Sequence, residues 1–565
     1  MRATAGRART GAAVTLAWLV VLVLAGCVSM PTGGPVVAGD GAVDEPGTVF
    51  PLAYSPPTDA EPVALVQGFL AAAAAGLGDN YAIATQYLTA RARTEWAPGE
   101  GVVVYSTAGT LEFDESPGGS QVSVTLPVVA TVDADGRYAE SPPGAQQDAV
   151  FDLVQDAVGQ WRIAGLDNGV LMSEPIFDSV YRSAPLYFLT PELDALVPEV
   201  RWFPQRNTAT YAVRELLEGP SPWLRDAVRT AIPEGTRLAV ESVPVDAEGV
   251  ATVDLTAAVA TADTTERALL KAQLHQVLQL PRIRDVDVSI AGVPMVEPAP
   301  AEMVRDPSPG GVLRAVAGGR VVALDGAEPA PVEGIGELGL ADPHGLAWGA
   351  AGAPTVLLDG TDTLVLAPTA DAPARTLLTG PGLVEPSVDR LGWVWSGPST
   401  AGRLTALQVD GAVVEVEAGW LEDRAVRSMQ VSRDGTRIAV VSVGTDGVTV
   451  DVAGVVRDDS GTPQRLGDRL RVGARLLTAT DVVWVSESTL GVLGTSGTMT
   501  GPTVHLVPTS GQTRALPPRE GATAVAAGRG ERSVYVLTEA GELYTLSGTS
   551  WVVVATGVSS PAFPG

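Results

Sequence analysis

The spacing of apolar residues divides the chain into a short N-terminal run and three longer regions with different periods. The first run is apolar almost without a break over residues 12–24, and it follows Arg2, Arg7 and Arg9. A basic start, a short apolar run and small residues at its end are typical of a secretory signal peptide. A membrane-spanning helix needs about 20 apolar residues, which is more than this run supplies. The pattern therefore predicts a signal peptide over residues 1–26.

Cys27 follows this run in the sequence Leu-Ala-Gly-Cys and is the only cysteine of the chain. The context resembles a bacterial lipobox, in which the thiol is acylated and the chain is cut just before the cysteine. A thiolate is the strong nucleophile that such a thioether requires. Since two or more acyl chains give stable anchoring, we expect lipidation at Cys27 and attachment to the extracytoplasmic face of the cell membrane. Residues 27–57, which have no sustained period, are predicted to form the lipidated tether.

Residues 58–178 change from a helical pattern to an alternating one. A capping-box sequence over residues 58–61 precedes apolar residues at helical spacing, and a second helix is predicted over residues 80–92. Alternating strands separated by Gly-containing turns follow as far as residue 166. Two helices followed by a curved antiparallel sheet resemble the α+β cone of NTF2-like domains. Many such cones hold ligands, but this region contains no histidine or cysteine, and we expect a packed interior.

Residues 185–297 alternate between strands and helices, which predicts an α/β domain. Helices are predicted over residues 208–218 and 264–280, where apolar positions recur at helical spacing. Three short motifs occur in order: Leu-Glu-Gly-Pro at 217–220, Ile-Pro-Glu-Gly-Thr at 232–236 and Val-Asp-Leu at 253–255. The second motif leads into a further predicted strand. Together the motifs resemble the GerMN domain of spore-germination and cell-envelope proteins.

A Pro-rich stretch over residues 298–311 predicts a linker. Beyond it, residues 312–565 contain short β runs broken by Gly, Asp and Pro. A unit of turn and paired strands recurs there at intervals of about 30 to 55 residues, and its clearest copy lies over residues 431–441. At about 43 residues per blade, this region predicts an all-β propeller of six blades, with five or seven left open. Because a propeller closes its own ring, we expect it to fold independently of the preceding domain.

The chain is strongly acidic, with 37 basic and 65 acidic residues and a formal net charge of −28. Nucleic acid would be repelled by this charge and is not an expected partner. Solubility alone also accounts for an acidic surface. Once Cys27 is acylated, no thiol remains for a disulfide or a metal site. Lys271 is the only lysine, so nearly all the cationic side chains are arginines.

Little in the sequence points to catalysis. His275, His344 and His505 are the only histidines and lie far apart, which makes a His-based triad or a metal site improbable. Carboxylate pairs are too numerous for one to be singled out. We therefore expect no enzyme activity and no cofactor, and we assign no catalytic, cofactor-binding or metal residues. The propeller region also contains six tryptophans, expected to pack between blades, with a sugar-binding platform as the alternative: Trp348, Trp393, Trp395, Trp420, Trp484 and Trp551.

A lipobox, an NTF2-like cone, a GerMN domain and a terminal propeller in this order resemble one family, the LpqB lipoproteins of actinobacteria. The resemblance covers the whole mature chain and rests on the domain order and the GerMN motifs. It implies an extracytoplasmic accessory of the MtrA–MtrB two-component system that binds the extracellular domain of the sensor histidine kinase MtrB. It also implies an influence on cell-wall homeostasis and division. Only Cys27 transfers as a functional residue, because the family offers no catalytic motif to match.

Two other functional classes stay open. One is a module that binds cell-wall glycan or peptide, with peptidoglycan as its partner. The other is an envelope lyase or hydrolase that uses the propeller channel. An enzyme requires a convergent acid–base pair at the channel mouth, whereas a binding module requires an exposed aromatic patch.

Overall fold

The computed structural model describes residues 52–307, 310–325, 328–349, 352–400, 402–497, 499 and 501–565. The predicted signal peptide, Cys27 and nearly all of the predicted tether lie outside the described residues. From residue 52 onward the chain belongs to one compact unit. Within these ranges, no helix has the length and apolar character needed to cross a membrane.

The N-terminal domain begins with a helix that buries one apolar side against a sheet. Its helices are α1 (Pro62–Ala74), α2 (Ala90–Glu95) and α3 (Glu174–Val180). The predicted capping box does not form, because α1 starts directly at Pro62 and Glu61 makes no side-chain capping bond. The helix predicted over residues 80–92 is also wrong. Asn80 and Tyr81 have positive φ angles, which an α-helix cannot contain, and Thr89 instead caps the short α2.

The sheet of this domain has the strand order β6-β5-β3-β1-β7, with β2 and β4 paired to β3. Burial alternates along the long β3, which places one face of the sheet on the core. The parallel β1–β7 pair and α3 were not predicted from the sequence. The strands are β1 (Gly101–Tyr105), β2 (Glu112–Glu115), β3 (Gln121–Asp133), β4 (Tyr138–Glu140), β5 (Gln146–Gln155), β6 (Trp161–Gly165) and β7 (Val170–Ser173).

Aromatic side chains fill the interior of this cone. The Phe69 ring meets the rings of Trp96 and Phe151 edge to face, at centroid distances of 5.4 Å and 5.9 Å. Tyr87 closes the same cluster, 6.3 Å from Phe69. Edge-to-face contacts of this kind stabilise a core beyond the burial of area. The interior is therefore packed, as the sequence predicted.

The second domain holds two three-stranded sheets, ordered β13-β9-β8 and β10-β11-β12. The helix predicted over residues 208–218 is confirmed, with the same first and last residues, as α4. The helix predicted over residues 264–280 forms as α6 but ends earlier, at Val277. The strand predicted after residues 232–236 does not form, since that segment makes only isolated bridges. The elements are β8 (Tyr181–Leu189), β9 (Ala195–Pro204), α4 (Thr208–Glu218), α5 (Pro222–Arg225), β10 (Val250–Leu255), α6 (Thr264–Val277), β11 (Asp285–Ile290), β12 (Val293–Pro294) and β13 (Val304–Arg305).

A buried arginine explains the Leu-Glu-Gly-Pro motif at the end of α4. Arg201 on β9 donates to the carboxylates of Glu199 and Glu215, both at 2.8 Å, and to the Gly219 carbonyl at 3.1 Å. Gly219 has a φ of 97°, a conformation that favours glycine. The motif therefore ends the helix and turns a carbonyl toward the buried guanidinium. Glu199 also accepts from the Ser221 backbone N–H at 2.8 Å, which fixes the chain beyond the motif.

The segment predicted as a linker is bound along much of its length. Lys271 on α6 is buried, and its Nζ donates to the carbonyls of Met295, Val296 and Pro298 at 2.8–3.2 Å. Further along, β13 pairs in parallel with β9. Asp306 then accepts from two arginines of the third domain, Arg433 at 3.3 Å and Arg529 at 3.0 Å. Residues 298–306 are therefore part of the folded structure and not a free linker.

The third domain contains six four-stranded antiparallel sheets within the described residues, which confirms the six-bladed propeller. Blade 1 combines β14–β16 with β37 from the C-terminal end, so the last strand closes the ring. Blades 2 to 6 are formed by β17–β20, β21–β24, β25–β28, β29–β32 and β33–β36. The strands of blades 1 to 3 are β14 (Arg314–Ala317), β15 (Arg320–Ala323), β16 (Ala330–Pro331), β17 (Pro343–Trp348), β18 (Thr355–Asp359), β19 (Thr363–Leu366), β20 (Arg375–Thr379), β21 (Ser387–Val388), β22 (Val394–Ser396), β23 (Leu404–Leu407) and β24 (Val413–Val416).

The remaining strands form blades 4 to 6, where strands are longer on average, except for β37, which completes blade 1. They are β25 (Ala425–Val431), β26 (Arg437–Gly444), β27 (Gly447–Arg457), β28 (Pro463–Val472), β29 (Leu476–Ser486), β30 (Thr489–Ser496), β31 (Thr503–Pro508), β32 (Arg514–Ala515), β33 (Ala522–Ala527), β34 (Val534–Thr538), β35 (Glu542–Ser547), β36 (Ser550–Thr556) and β37 (Ser559–Ala562).

The core of the second domain continues into blades 4 and 5 without a break. Between them, the Trp223 carbonyl on α5 lies so close to Gly454 and Gly467 that a Cβ at either glycine would come within 2.9 Å of it. A core shared across a boundary ties the stability of the two domains together. No pattern in the sequence indicates this continuity. The shared cluster includes Leu186, Leu216, Leu224, Leu270, Leu274, Val441, Val450, Val452, Trp484 and Val492.

Candidate functional site

The innermost strands of all six blades surround a cavity of about 290 Å³ on the propeller axis. Every blade has the same arrangement of four antiparallel strands, so the innermost strands all run in the same direction along the channel. Their C-terminal ends face the second domain, because Arg433 follows β25, Arg529 follows β33, and both bind Asp306. Gly565, the last residue, lies against Arg433 and also lines the cavity. The opposite end of the channel carries the N-terminal ends of the innermost strands.

Asp481 is fixed in the cavity wall by three donors from three blades. It accepts from the Ser428 hydroxyl at 2.8 Å and from the backbone N–H groups of Val482 and Val525, both at 2.9 Å. The register of β29 against β30 shifts at this residue. The side chain remains partly exposed to the cavity, yet the protein around it removes enough water to raise its pKa despite these donors.

Glu385 lies two residues before β21 and lines the same cavity. Its side chain is exposed within the cavity, and loss of water to the protein packed around the cavity is the main reason that its pKa is raised to about 7. The negative charge of Asp481 raises the pKa further, whereas His344 lowers it. Among the described residues, the Glu385 carboxylate has no hydrogen-bond or ion-pair partner. Glu385 also lies against Gly345, where a Cβ would come within 2.9 Å of Cγ.

The three histidines lie in separate places, as the sequence indicated. His344 is half-buried beside the channel, with Nδ1 3.1 Å from the Asp342 carbonyl. His505 is buried in blade 5 between the Ser496 hydroxyl at 2.8 Å and the Thr503 carbonyl at 2.9 Å, and burial lowers its pKa. His275 on α6 is half-buried, and burial likewise lowers its pKa. Within the described ranges, no group of three or more His, Cys, Asp or Glu side chains is placed to hold a metal ion.

The propeller tryptophans pack into the blades and do not form an exposed platform. Trp348, Trp393, Trp395 and Trp484 are buried, and Trp420 and Trp551 are half-buried against blade cores. The indole N–H groups of five of them bind within the fold, which is usual for a buried tryptophan. The acceptors are Ala562 O for Trp348, Asp389 Oδ2 for Trp395, Gly467 O for Trp420, Gln430 O for Trp484 and Pro517 O for Trp551.

Sequence reasoning missed Glu385 and Asp481, because nothing distinguishes them among 65 acidic residues. The signal that could have found them is their position along the innermost strands, with Glu385 two residues before β21 and Asp481 within β29. An alignment of the blades on one another would have placed both on the axis. The predicted site residue, Cys27, lies outside the described residues.

Family models match three consecutive parts of this chain. "Lipoprotein LpqB, N-terminal domain" matches residues 55–178, "Sporulation and spore germination" matches residues 185–296, and "Lipoprotein LpqB beta-propeller domain" matches residues 319–564. A lipoprotein LpqB from Thermobifida fusca is 31% identical over 562 residues, which cover 86% of this chain and 87% of the relative. A lipoprotein LpqB from Streptomyces avermitilis is 27% identical and covers 96% of both chains.

Among solved structures, the first GerMN domain of the sporulation protein GerM from Bacillus subtilis is 21% identical. It covers 21% of this chain and 94% of that chain, with a TM-score of 0.19. The fold and the family matches together define a class of multidomain protein with an NTF2-like domain, a GerMN domain and a terminal β-propeller. The chain belongs to the LpqB lipoprotein family.

Proposed function

We propose that this lipoprotein is a non-catalytic accessory of a two-component system, anchored through Cys27 at the extracytoplasmic face of the cell membrane. Its partner is the extracellular domain of a sensor histidine kinase like MtrB of the MtrA–MtrB system. Through that kinase it influences cell-wall homeostasis and division. The observation that carries the proposal is membership of the LpqB family over nearly the whole chain, together with the lipobox at Cys27.

The junction of the three domains supports a role as a rigid binding body. Trp202 on β9 of the GerMN domain packs against Tyr138 and Phe177 of the NTF2-like domain, at centroid distances of 5.5 Å and 5.2 Å. Its indole N–H donates to the Ser510 carbonyl of the propeller at 3.2 Å. One side chain thus contacts all three domains. These contacts hold the three domains in one arrangement. A partner that binds one domain therefore meets all three in that arrangement.

A buried acidic side chain reinforces the same junction. Glu140 of the NTF2-like domain accepts from the Thr513 backbone N–H at 2.8 Å and from the Thr513 hydroxyl at 2.6 Å. Arg475 of the propeller lies 3.2 Å from the same carboxylate. Charge-assisted hydrogen bonds are about twice as strong as neutral ones, which favours a single fixed arrangement.

The test uses the full lipidated protein in vesicles that also contain the full-length kinase. Saturable binding to the extracellular domain and a change in kinase phosphorylation are expected. The Cys27→Ala variant, which lacks the anchor, should bind in solution but have a much weaker effect on vesicles at the same concentration. Failure of the intact protein to bind, with kinase output unchanged by its removal, would refute the proposal.

Catalysis in the propeller channel is a second candidate function. It is favoured by one observation: Glu385 and Asp481 line the same cavity, and the pKa of Glu385 is raised to about 7. A carboxyl group with this pKa can donate or accept a proton at neutral pH. Turnover of a cell-wall glycan that disappears in Glu385→Gln but persists in Glu415→Gln would establish this candidate. Equal turnover in both variants would exclude it.

A further inference from the structure

We propose that the propeller channel binds a small ligand carrying a protonated primary amine, and that the Glu385 carboxylate receives the ammonium group. This site is independent of the kinase role. It is defined by a cavity, by an acidic group without a partner among the described residues, and by the charge of the surrounding wall. Each of these observations narrows the chemistry of the ligand.

The first observation is the difference between the two carboxyl groups. The three donors already described occupy Asp481, whereas Glu385 has no partner among the described residues. Glu385 is exposed to the cavity, so its carboxylate is accessible to a donor that enters the channel. A donor supplied by a ligand would pair with Glu385, and Asp481 would act as a second negative charge fixed in the wall.

The second observation is the sign of the charge in the wall. Neither arginine nor lysine is among the described residues that line the cavity. Among the described residues, the one basic side chain whose charge acts on Glu385 is His344, which is half-buried beside the channel. An anionic ligand would thus meet two carboxyl groups of like charge and, among the described lining residues, no arginine or lysine. The net charge of −28 also draws cations toward the protein from a distance.

The third observation favours an ammonium group over a bare metal ion as the ligand of this cavity. Calcium takes six to eight oxygen ligands, but the described residues do not bring three or more His, Cys, Asp or Glu side chains together. An ammonium group, in contrast, has three N–H donors, which a carboxylate and neighbouring hydroxyl or carbonyl oxygens can accept. Ser560 provides one such oxygen at the cavity wall, where its hydroxyl accepts from Gly345 N at 3.0 Å. The cavity of about 290 Å³ limits the ligand, or the part of it that enters, to a small molecule.

Binding should depend on pH, because Glu385 must be ionised to pair with the amine. The groups that face Glu385 are Asp481, which raises its pKa, and His344, which lowers it. A primary alkylamine stays protonated to about pH 10. Affinity is therefore expected to increase as the pH rises through about 7. The bound cation should in turn lower the pKa of Glu385.

The experiment titrates the full lipidated protein in detergent with 1,5-diaminopentane and measures heat at pH 8.0 and pH 5.5. We expect saturable binding at pH 8.0 and about tenfold weaker binding at pH 5.5, as the ionised fraction of Glu385 falls. Glu385→Gln should weaken binding about tenfold at pH 8.0 and remove most of the pH dependence. Glutamine has the shape of the protonated carboxyl group, so this variant should fold normally.

Two controls make the result specific. Glu415→Gln changes an exposed carboxylate on the outermost strand of the same blade and should bind like the unchanged protein. The neutral isostere 1,5-pentanediol should not bind. Absence of saturable diamine binding at pH 8.0, equal affinity in Glu385→Gln and the unchanged protein, or equal losses in Glu385→Gln and Glu415→Gln would each overturn the proposal.

Discussion

The hydroxyl of Tyr187 in the GerMN domain donates to the Glu487 carboxylate in blade 5 of the propeller, at 2.9 Å and across 300 residues of sequence. The same carboxylate oxygen accepts from Nη2 of Arg305, on the edge strand β13, at 2.6 Å. Burial and the Glu487 charge raise the pKa of Tyr187, so its hydroxyl stays protonated and acts as the hydrogen-bond donor. This contact joins the two domains at the edge of their shared core.

Replacing Tyr187 by Phe should destabilise the protein by about 1.5–3 kcal/mol, because hydrogen bonds to charged groups contribute in this range. Urea unfolding of the full chain measures the effect. Tyr535→Phe is a matched control, since the Tyr535 ring packs against Phe563 away from this junction. Equal losses in the two variants would show that the contact with Glu487 is not important for stability.

The shared core predicts that the GerMN domain and the propeller unfold together. A fragment of residues 312–565 would leave Val441, Val450 and Trp484 without the apolar side chains that cover them. We expect this fragment to bind a hydrophobic dye and to melt well below the full chain, in which both domains unfold in one calorimetric transition. A fragment that melts like the full chain would support the independent propeller expected from the sequence.

Gly467→Ala should disturb the same interface through the backbone. The added Cβ would lie 2.9 Å from the Trp223 carbonyl, and neither backbone can easily move. Overpacking of this kind costs about 1–3 kcal/mol. Gly419→Ala is the control, because a Cβ there meets no atom within 4 Å. The free energies of unfolding of the two variants, compared in urea, should differ by this amount, and similar values would contradict the packing.

The buried pair of Asp434 and Arg437 predicts a loss of stability in acid. Burial opposes ionisation of Asp434, but the Arg437 guanidinium and hydrogen bonds from Thr436 outweigh it and hold its pKa below the usual range. The unfolded-state value is about 3.9. The ionised carboxylate therefore stabilises the fold above about pH 4, and this contribution is lost as the pH falls below that value.

Asp434→Asn should lower the free energy of unfolding at pH 7 by about 3–5 kcal/mol, because it leaves the buried Arg437 without its charge partner. It should also flatten the dependence of stability on pH below about 4. Asp410→Asn, at an exposed position, should change stability by less than about 0.5 kcal/mol. Unfolding measured across the acid range checks both, and parallel pH profiles would argue against the pair.

Cys27→Ala should abolish lipidation, because no other thiol exists to take its place. Metabolic labelling with a lipid precursor measures the outcome directly. Label that persists in the variant would contradict the lipobox interpretation.

The parts of the fold that the sequence predicted are those with a strong local period. Helix α4 and the six blades follow from repeated apolar spacing and from Gly-containing turns. The second helix failed because Asn80 and Tyr81 adopt positive φ angles that no apolar pattern reveals. The linker was misjudged because proline content reports chain stiffness, whereas its attachment depends on Lys271 and Asp306, which meet distant partners.

The candidate site also could not be predicted from local sequence patterns, because its residues come from distant parts of the chain. Glu385 and Asp481 are 96 residues apart in the chain numbering and belong to different blades, so only closure of the ring brings them to one cavity. Their chemistry also depends on the protein around the cavity, which removes water from the neighbourhood of both carboxyl groups and brings the two negative charges close together. Composition predicted that no thiol remains once Cys27 is acylated, but it could not identify which of the many carboxyl groups would line the cavity.

The position of Lys271 has a practical consequence for work on intact cells. It is the only lysine, and three backbone carbonyls enclose its Nζ in the folded protein. Succinimidyl esters, which are widely used to biotinylate the cell surface, require an accessible amine. The described fold offers them no accessible lysine side chain, so a negative biotinylation result would not argue against surface exposure. Reagents directed at carboxylates or arginines suit this protein better.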